Sequence, residues 1–504
     1  MESPQDIECY SSLLEVFNPE DSNEMKTIIT ASVSMTLALA PPVWANMNIQ
    51  PDPQNPTGYI VARADVEAVE NSKTSDPMYA IWSQALTTAS NTVVNAIEPG
   101  RPSNPDNVKR AEKVFPSAEW DYLTHMAAPE YSYQKFLQAI GKFPAFCATY
   151  TDGRDSDAIC KKSIITAFAH FAQETGGHIA KDNYWDNPLG LEEWQQALVH
   201  VREMGWSEGQ EGYTTGCGQN DWQNRKWPCS AGQGYFGRGA KQLSYHFNYG
   251  AFSEAMYAGD ATILLNNPAA VADSWLNLAS AIWFFLTPQA PKPAMLHVID
   301  RTWSPSQREI DAGIGYGFGT TINIINGGIE CGEQNKDKGQ PVNRIKYWEG
   351  LSAHYQIPLE ADEVNTCWQQ TPYGSINLEG ATDVLYTNWD GNWQYFSDRP
   401  EGYSFECQLV GYQTAYSALV KGDYEKCVTN FYQSHASWPE VRVVDKLDPL
   451  PVDPPGTVPA WNATTVYQGG EQVSYQNAVY EAKWWTQGNE PSKGDPWKFI
   501  SAIP

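Results

Sequence analysis

The sequence has few basic residues and no basic run of five or more. Its 33 Lys and Arg stand against 59 Asp and Glu, so the formal net charge is -26 at pH 7. Nucleic acids and anionic membranes bind proteins through clustered positive charge, and this composition argues against both as partners. The chain is instead rich in aromatic residues, with 20 Trp and 27 Tyr, and exposed rings can stack on sugar faces or line interfaces.

An apolar run near the N-terminus is too short to span a membrane. It covers 14 residues, Thr27 to Ala40, and includes several Ser and Thr, whereas a spanning helix needs about 20 apolar residues. The run begins just after Met25 and is followed by the small-residue pattern of signal peptidase cleavage. We interpret residues 1–24 as an extension before the native start and residues 25–45 as a signal peptide, so that the mature chain begins near Asn46. A short buried helix is the alternative.

The cysteines lack the CxxC and histidine-rich spacings of zinc sites, so no metal or other cofactor is expected. One of the nine Cys, Cys9, lies in the segment expected to be removed. The remaining eight fall as neighbours along the chain, and in an exported protein such a set predicts disulfides. The predicted pairs are Cys147 with Cys160, Cys217 with Cys229, Cys331 with Cys367, and Cys407 with Cys427.

Helical periodicity dominates the middle of the chain. From about residue 108 to 355, apolar residues recur at three- and four-residue spacing with hardly any strand-like alternation. We therefore predict a mainly α-helical domain over residues 106–440, whose last 60 or so residues form an aromatic-rich extension of it. Residues 46–105 are interpreted as a linker or N-terminal extension with one helix near Met78 to Ile97.

A small β domain is predicted at the C-terminus, over residues 458–504. Before it, residues 441–457 are rich in Pro and Asp and are predicted to form an extended linker. Alternating residues around a QN turn, from Glu471 to Ala482, predict a hairpin. A unit of about 45 residues cannot bury all its aromatic rings.

The aromatic pattern of this unit resembles the chitin-binding modules of carbohydrate-binding family 5/12. The resemblance implies that Trp484 and Trp485 present a flat face to crystalline chitin, with Trp461 and Tyr480 as further binding residues. A core position for the two adjacent tryptophans is the alternative.

The strongest helical pattern lies between Lys161 and Ile179. Its apolar spacing predicts a helix with one buried face. Glu174 follows the apolar stripe directly, and Gly176 and Gly177 then end the helix. A carboxyl that is partly shielded by apolar neighbours has a raised pKa and is suited to act as a general acid. A solvated Glu at a helix end is the alternative.

A glycine-rich turn leads into a polar helical pattern at Tyr235 to Gly250. The glycines allow the backbone to approach a ligand closely, and Gln242, Ser244 and Asn248 lie at helical spacing on roughly one face. These side chains form a hydrogen-bonding wall, and a capped surface helix is the alternative. The GRG sequence is not GxGxxG, and no parallel strand precedes it, so a nucleotide site is not supported.

These segments, together with NIINGGIECG at Asn323 to Gly332, resemble the chitinases of glycoside hydrolase family 19. The resemblance covers about residues 108–367 and includes the motifs WPC, APKP and NRIKYW. It implies a bilobal, lysozyme-like helical fold. It also implies a secreted endochitinase that hydrolyses the β-1,4 linkages of chitin with inversion at the anomeric carbon.

The resemblance assigns roles to individual residues. Glu174 matches the general acid, and a second Glu on the following segment is the base. The substrate-binding positions that it implies are Trp227, Gln242, Ser244, Asn248, Lys292 and Asn326, and the pair that supports the cleft is Glu330 with Arg344.

Three positions depart from the family pattern. Gln173 stands where the family has His, Phe247 where it has Tyr, and Ala240 where it has Pro, and the segment between acid and base is longer. None of these changes removes a carboxylate, so activity is still expected.

The choice of base is left between several residues by the sequence. The resemblance selects Glu203, because its context matches the family's pattern of an apolar stretch that ends in Glu, and this residue is expected to stay ionised with Arg202 beside it. Glu208 and Glu211, in glycine-containing loops, remain as alternatives. The full set between the acid and Cys217 is Glu192, Glu193, Glu203, Glu208 and Glu211.

The sequence as a whole predicts a secreted, modular, monomeric endochitinase that acts on chitin and chitooligosaccharides. A peptidoglycan-cleaving muramidase is the alternative with the same chemistry. A non-catalytic chitin-binding adhesin is the alternative from another class.

Overall fold

The computed structural model describes residues 47–214, 217, 222–397, 399–435, 438–447 and 458–502, and the structural statements below concern these residues. The predicted extension, the signal peptide and residues 448–457 of the predicted linker lie outside them.

Helices make up about half of the chain between residues 63 and 354. The α-helices of the described residues are, in chain order, α1 (Arg63–Lys73), α2 (Pro77–Ala85), α3 (Asn91–Asn95), α4 (Asp106–Val114), α5 (Ser117–Leu123), α6 (Tyr133–Lys142), α7 (Ser156–Thr175), α8 (Trp222–Lys226), α9 (His246–Met256), α10 (Thr262–Asn266), α11 (Ala270–Asp273), α12 (Leu276–Leu286), α13 (Met295–Ile299), α14 (Gln307–Asp311), α15 (Phe318–Glu330), α16 (Gly339–His354) and α17 (Asp423–Gln433).

Strands are short and lie mainly toward the two ends of the described chain. They are β1 (Ile49–Asp52), β2 (Asn55–Ala62), β3 (Asn388–Gly391), β4 (Cys407–Val410), β5 (Tyr416–Ser417), β6 (Val441–Val444), β7 (Val466–Tyr467), β8 (Gln472–Tyr475), β9 (Ala478–Ala482), β10 (Thr486–Gln487) and β11 (Trp497–Ala502).

Helix α7 lies at the centre of the helical body, which we define as α3 to α16. Asp155 caps its N-terminus by accepting hydrogen bonds from the backbone of Asp157 and Ala158, both at 3.0 Å. Most of its residues are buried, and the apolar ones, including Ile164 and Phe168 at 0% exposure, belong to one large apolar core. The prediction of a mainly α-helical domain built around this stretch is confirmed.

The end of α7 falls where the glycines predict it. The helix stops at Thr175, and a Cβ added at Gly176 would overlap the carbonyl oxygen of Ala172. Only glycine therefore allows the chain to leave the helix so close to its last turn. This turn places Glu174 at the helix end.

A second subdomain joins the two ends of the described chain outside the module, and it corrects the predicted domain boundaries. Strand β2 pairs with β1 in antiparallel fashion and with β6 in parallel fashion, with Tyr59 opposite Val441 and Ala62 opposite Val444. Asp52 accepts two hydrogen bonds from Arg442, at 2.9 and 2.7 Å. The first residues of the predicted linker are thus a strand.

This second subdomain has an apolar core of its own. The core brings Val61 and Val66 from the N-terminal segment against Trp389, Phe405 and Tyr432 from the C-terminal segment. Around it lie the β1–β2–β6 sheet, the β4–β3–β5 sheet, α1 and α17. The N-terminal segment is therefore not a linker, and the aromatic extension packs with it rather than only continuing the helical body.

The single helix predicted near Met78 to Ile97 is two helices, α2 and α3. Helix α2 ends at Ala85, and Ser90 caps α3 by accepting a hydrogen bond from the backbone of Val93 at 3.3 Å. A serine side chain that accepts a backbone hydrogen bond favours a new helix start over continuation.

The predicted C-terminal β domain is confirmed, and its described part, residues 458–502, is called the module below. Strands β8 and β9 form the expected hairpin, with Tyr475 opposite Ala478. The two turn residues, Gln476 and Asn477, have φ of 49° and 57°, which is the left-handed conformation of tight hairpin turns. A small core of Tyr467, Val473, Ala482 and Trp497 closes the unit.

All four predicted disulfides are present with the predicted pairing: Cys147–Cys160, Cys217–Cys229, Cys331–Cys367 and Cys407–Cys427. Within the described ranges, no helix has both the length and the apolarity needed to cross a membrane.

Candidate active site

Glu174 is held by a buried arginine that comes from a different helix. Arg344 of α16 is 2% exposed, and its guanidinium donates a hydrogen bond to Glu174 Oε1. It also donates to Glu330 at the end of α15, at 2.8 Å to Oε2 and 3.0 Å to Oε1, and contacts His170 Nδ1 at 3.1 Å. The structure thus brings together the acid candidate and the pair expected to support the cleft.

The raised pKa expected for Glu174 is wrong in direction. Burial acts to raise the pKa of this carboxyl, as the sequence argument assumed. The positive charges of Arg344 and Lys241, with the hydrogen bond from Arg344, outweigh burial and hold the pKa below its ordinary value. The apolar stripe was visible in the sequence, but the two cations lie on segments more than 65 residues away.

Asn326 lies at a break in α15. Its φ of -151° and ψ of 30° are not helical, and its side-chain amide donates to Glu330 Oε1 at 2.7 Å. The NGG sequence allows this kink, since glycine tolerates irregular backbone. Asn326 and Arg344 therefore both donate hydrogen bonds to Glu330, and Arg344 in turn binds Glu174.

Glu203 is held by two neutral donors. Its Oε1 accepts a hydrogen bond from the Tyr213 hydroxyl at 2.6 Å, and its Oε2 accepts one from the backbone N–H of Gly237 at 2.9 Å. The hydrogen bond to Glu203 is the main cause that raises the pKa of Tyr213, to about 12, so the phenol stays protonated and donates. The sequence analysis missed Tyr213, because nothing in its local pattern indicates its partner.

The other base candidates are engaged elsewhere. Glu208 binds Arg238 at 2.7 Å and Arg202 at 2.8 Å. Burial acts to raise the pKa of Glu208, but the hydrogen bonds from these two arginines lower it overall. Glu193 binds Lys346 at 3.0 Å, and Glu192 binds Lys181 at 2.5 Å.

Arg202 does not stabilise Glu203, contrary to the expectation. Its guanidinium binds Glu130 at 2.9 Å and Glu208 at 2.8 Å, and it also contacts Asp273. Neighbouring residues in an extended segment point their side chains in opposite directions, so adjacency in sequence did not produce contact here. Glu211, the remaining candidate, is exposed.

The hydrogen-bonding wall is not one helix face. Helix α9 begins at His246, so Gln242 and Ser244 precede it in an irregular turn and only Asn248 is helical. The three side chains bond in sequence along the chain, with Gln242 donating to Gly239 O at 3.0 Å, Ser244 to Gln242 O at 3.0 Å, and Asn248 to Ser244 O at 2.9 Å.

Gly237 lets two of the candidate residues approach each other. A Cβ at this position would lie 2.7 Å from Gln242 Oε1 and 3.3 Å from Glu203 Oε2. The glycine therefore makes room for the Glu203 side chain, rather than only for a ligand as the sequence suggested.

Trp227 and Lys292, two further residues expected to bind substrate, lie in different surroundings. Trp227 is 7% exposed, packs against Gly250 and contacts Trp222 at 5.7 Å between ring centroids, so the structure shows it in the core. Lys292 donates to the carbonyl of Ile324 at 3.0 Å, and burial lowers its pKa.

The long segment between acid and base carries exposed aromatic side chains that the sequence analysis did not single out. Tyr184 is 76% exposed and Trp185 is 95% exposed. Of the departures from the family pattern, Phe247 stacks on Tyr245 with centroids 5.6 Å apart, and Ala240 is buried.

On the module, Trp484 and Trp485 are 54% and 58% exposed. The alternative that both lie in the core is therefore wrong. Trp461 and Tyr480 are partly buried against the module core, where Trp461 contacts Tyr475 and Tyr480 contacts Phe499.

Two segments of the chain match known families. Residues 123–360 match the family described as chitinase class I, and residues 460–498 match carbohydrate-binding module family 5/12. The first match covers most of the helical body and leaves the second subdomain outside.

Individual relatives are plant enzymes. The chain is 40% identical to Endochitinase 2 of Solanum tuberosum over 219 residues, which are 43% of this chain and 60% of that protein. It is 34% identical to Endochitinase 2 of Gossypium hirsutum over 251 residues, 49% of this chain and 72% of that protein. The potato relative is therefore matched over less than two thirds of its length.

Among solved structures, the class IV chitinase of Zea mays aligns with 22% identity and a TM-score of 0.34, over 51% of this chain and 99% of that chain. Chitinase C of Streptomyces griseus aligns with 21% identity and a TM-score of 0.34, over 50% of this chain and 97% of that chain.

Proposed function

This chain belongs to the class I chitinases of glycoside hydrolase family 19, and from this premise we propose that it is an endochitinase that hydrolyses the β-1,4 linkages of chitin. The observation that supports the proposal most is the different environment of two carboxylates. Glu174 faces cations and Glu203 faces neutral donors. In glycosidases, the different environments of two carboxyl groups determine which one acts as the acid and which one as the base.

In the proposed reaction, Glu174 is the general acid and protonates the glycosidic oxygen as the bond to the anomeric carbon breaks. Glu203 is the general base and takes a proton from a water that attacks the anomeric carbon on the opposite face. The configuration inverts, which requires the two carboxyls to be about 6.5–9.5 Å apart with the water between them.

The substrate-free state leaves Glu174 in its ionised form, because cations hold its pKa down. A sugar bound over Glu174 excludes water and adds to the burial effect that already acts to raise this pKa. Substrate binding therefore supports the protonated form that the first step needs.

Glu203 needs no cation to act as a base. The Tyr213 hydroxyl and the Gly237 amide each donate a hydrogen bond to its carboxylate and fix its orientation. Of the matched substrate residues, Asn326 and Ser244 are proposed to orient the sugar and the water.

The acid and base roles are tested by Glu174→Gln and Glu203→Gln on soluble chitooligosaccharides. We expect Glu174→Gln to be nearly inactive, and Glu203→Gln to lose on the order of 10² to 10⁴ in rate and to be rescued by azide, which needs no base. Glu211→Gln is a matched control on an exposed candidate and should retain activity.

The stereochemical outcome is a second test. Nuclear magnetic resonance in the first minutes should show the α anomer from a β-linked substrate. A β anomer would refute the pairing of Glu174 with Glu203 in an inverting mechanism.

The two alternative functions are separated by substrate. Release of soluble oligosaccharide from colloidal chitin, but not from bacterial cell walls, supports the chitinase. The reverse result indicates the muramidase, and binding without release indicates the adhesin.

The module is proposed to bind insoluble chitin through Trp484 and Trp485, whose exposure suits stacking on a polymer surface. The protein is proposed to be secreted, since disulfides persist in oxidising compartments. N-terminal sequencing of secreted protein should then begin near Asn46, and a mature form that retains Cys9 would contradict this.

A further inference from the structure

Lys241 lies beside Glu174, although the sequence comparison assigns it no role. Both side chains line one small cavity of about 20 Å³, whose other walls are mainly apolar and include Phe171, Phe284 and Ile325. The Lys241 ammonium lies over the Phe284 ring, 4.4 Å from its centroid. A cation held in an apolar wall is poorly screened by water, so its field on a neighbouring carboxyl is strong.

The other charged and titratable groups around Glu174 come from five segments of the chain. His170, on α7 itself, bonds Thr321 at 3.0 Å as well as contacting Arg344, and burial drives its pKa well below the ordinary value, so it is neutral. His178, in the following loop, bonds Tyr347 at 2.8 Å, and burial lowers its pKa as well.

The remaining groups are Arg344 on α16, Glu330 on α15 and Lys292 before α13. Arg344 donates one hydrogen bond to Glu174 and two to Glu330, so its charge is shared by two carboxylates. Lys292 is turned to the carbonyl of Ile324. Lys241 is thus a second cation that acts on Glu174 and is not neutralised by a bonded carboxylate within the described residues.

We propose that Lys241 is a positioning residue whose ammonium charge sets the ionisation of Glu174 and thereby the upper pH limit of hydrolysis. This inference rests on the proposed role of Glu174 as general acid. An acid must carry its proton when substrate binds, and a neighbouring cation favours the state that has lost it. Lys241 therefore shifts catalysis toward lower pH.

The electrostatics of both groups agree with this geometry. Lys241 is one of the two cations that together outweigh burial and lower the pKa of Glu174. Burial lowers the pKa of Lys241 itself, while the charge of Glu174 opposes that effect. A neighbouring opposite charge favours the ionised form of a carboxyl and lowers its pKa.

The test compares Lys241→Met, which keeps the length of the side chain but not the charge, with Lys241→Arg, which keeps the charge. kcat and KM are measured against pH on a soluble chitooligosaccharide, since the pH dependence of kcat/KM reports ionisations of the free enzyme. We expect the alkaline limb of kcat/KM to move up by about 1 pH unit in Lys241→Met and to stay in place in Lys241→Arg.

If the alkaline limb of kcat/KM stays in place or moves to lower pH in Lys241→Met, the inference is wrong. This holds even if kcat falls at every pH, because a role in packing alone predicts an equal loss of activity at all pH values. Circular dichroism checks that the variants fold. If Lys241→Met does not fold, Lys241→Gln provides a second neutral variant with the same expected shift.

Glu174→Gln in the same assay distinguishes failure of the proposed function from failure of the proposed role of Lys241. Full activity in Glu174→Gln would refute the proposed function itself. Loss of activity in Glu174→Gln, together with an unmoved limb in Lys241→Met, would refute only the role of Lys241.

Discussion

Replacing Arg344 with Met should remove the charge that joins α16 to the ends of α7 and α15. The guanidinium is 2% exposed and bonds Glu174, Glu330 and His170. Methionine is apolar and flexible enough to fill much of the same volume. The substitution therefore tests the charge more than the packing.

The expected loss in the free energy of unfolding is about 3–5 kcal/mol, the usual result of removing one partner of a buried ion pair. The reason is that Glu330, at 0% exposure, is left as a buried carboxylate without its cation. Native proteins are stable by only about 5–15 kcal/mol, so such a loss is easily measured.

The matched control is the double variant Arg344→Met with Glu330→Gln, which removes both charges. If the ion pair carries the effect, the double variant should be more stable than the sum of the single losses predicts, by about 0.5–3 kcal/mol. Glu330→Gln alone completes the cycle.

Urea unfolding at pH 7, followed by far-ultraviolet circular dichroism, is the suitable assay because most of the described α-helices lie in the helical body and the described module contains none. A loss below about 1 kcal/mol for Arg344→Met, or additive single effects, would refute the reasoning.

The pH dependence of stability has a definite sign. The folded-state pKa of Glu174 is lowered by cations despite burial, so its stabilising contribution is present above the ordinary Glu pKa of about 4.3 and is lost as pH falls. Arg344→Met removes one of those cations. The acid-induced loss of stability should therefore be smaller in this variant than in wild type.

Three further predictions concern other parts of the chain. Tyr213→Phe removes a hydrogen bond to the Glu203 carboxylate worth about 1.5–3 kcal/mol, so kcat on soluble substrate should fall about 10- to 150-fold without loss of folding, and wild-type kinetics would contradict it. Trp484→Ala with Trp485→Ala should abolish binding to insoluble chitin while soluble hydrolysis stays nearly unchanged; equal loss on both substrates would argue against separate tasks. Val61→Asp buries an unpaired charge in the second subdomain, so limited proteolysis should cleave residues 388–444 first, and resistance there would show that this core does not depend on β2.

Local features of the fold could be predicted from the sequence. The apolar spacing of α7, its glycine end and the QN hairpin each depend on residues within one element. The cysteines paired as neighbours because each pair closes a short segment, the longest with a separation of 36 residues. Such features are set by local periodicity and turn chemistry.

Features that depend on distant partners could not be predicted. Arg344 and Lys241 reverse the expected pKa shift of Glu174, and Tyr213 binds Glu203, yet no local pattern indicates these contacts. Residues 441–444 read as the start of a linker because their partner strand lies at the other end of the described chain. Motif resemblance selected Glu174 and Glu203 as candidates but did not indicate the groups that contact them.

The parallel pairing of β2 with β6 has a consequence for the order of events during synthesis. Asp52 and Arg442, which join the two segments, are 390 residues apart along the chain. At a synthesis rate of about 5–20 residues per second, β2 and its apolar side chains stay unpaired for roughly 20–80 s before β6 emerges from the ribosome. The helical body, whose last helix ends at His354, can form in that interval, whereas the second subdomain cannot. A strand edge left open for so long is a site for association with other chains, so slow elongation should lower the yield of native protein through residues 49–62 rather than through the helical body.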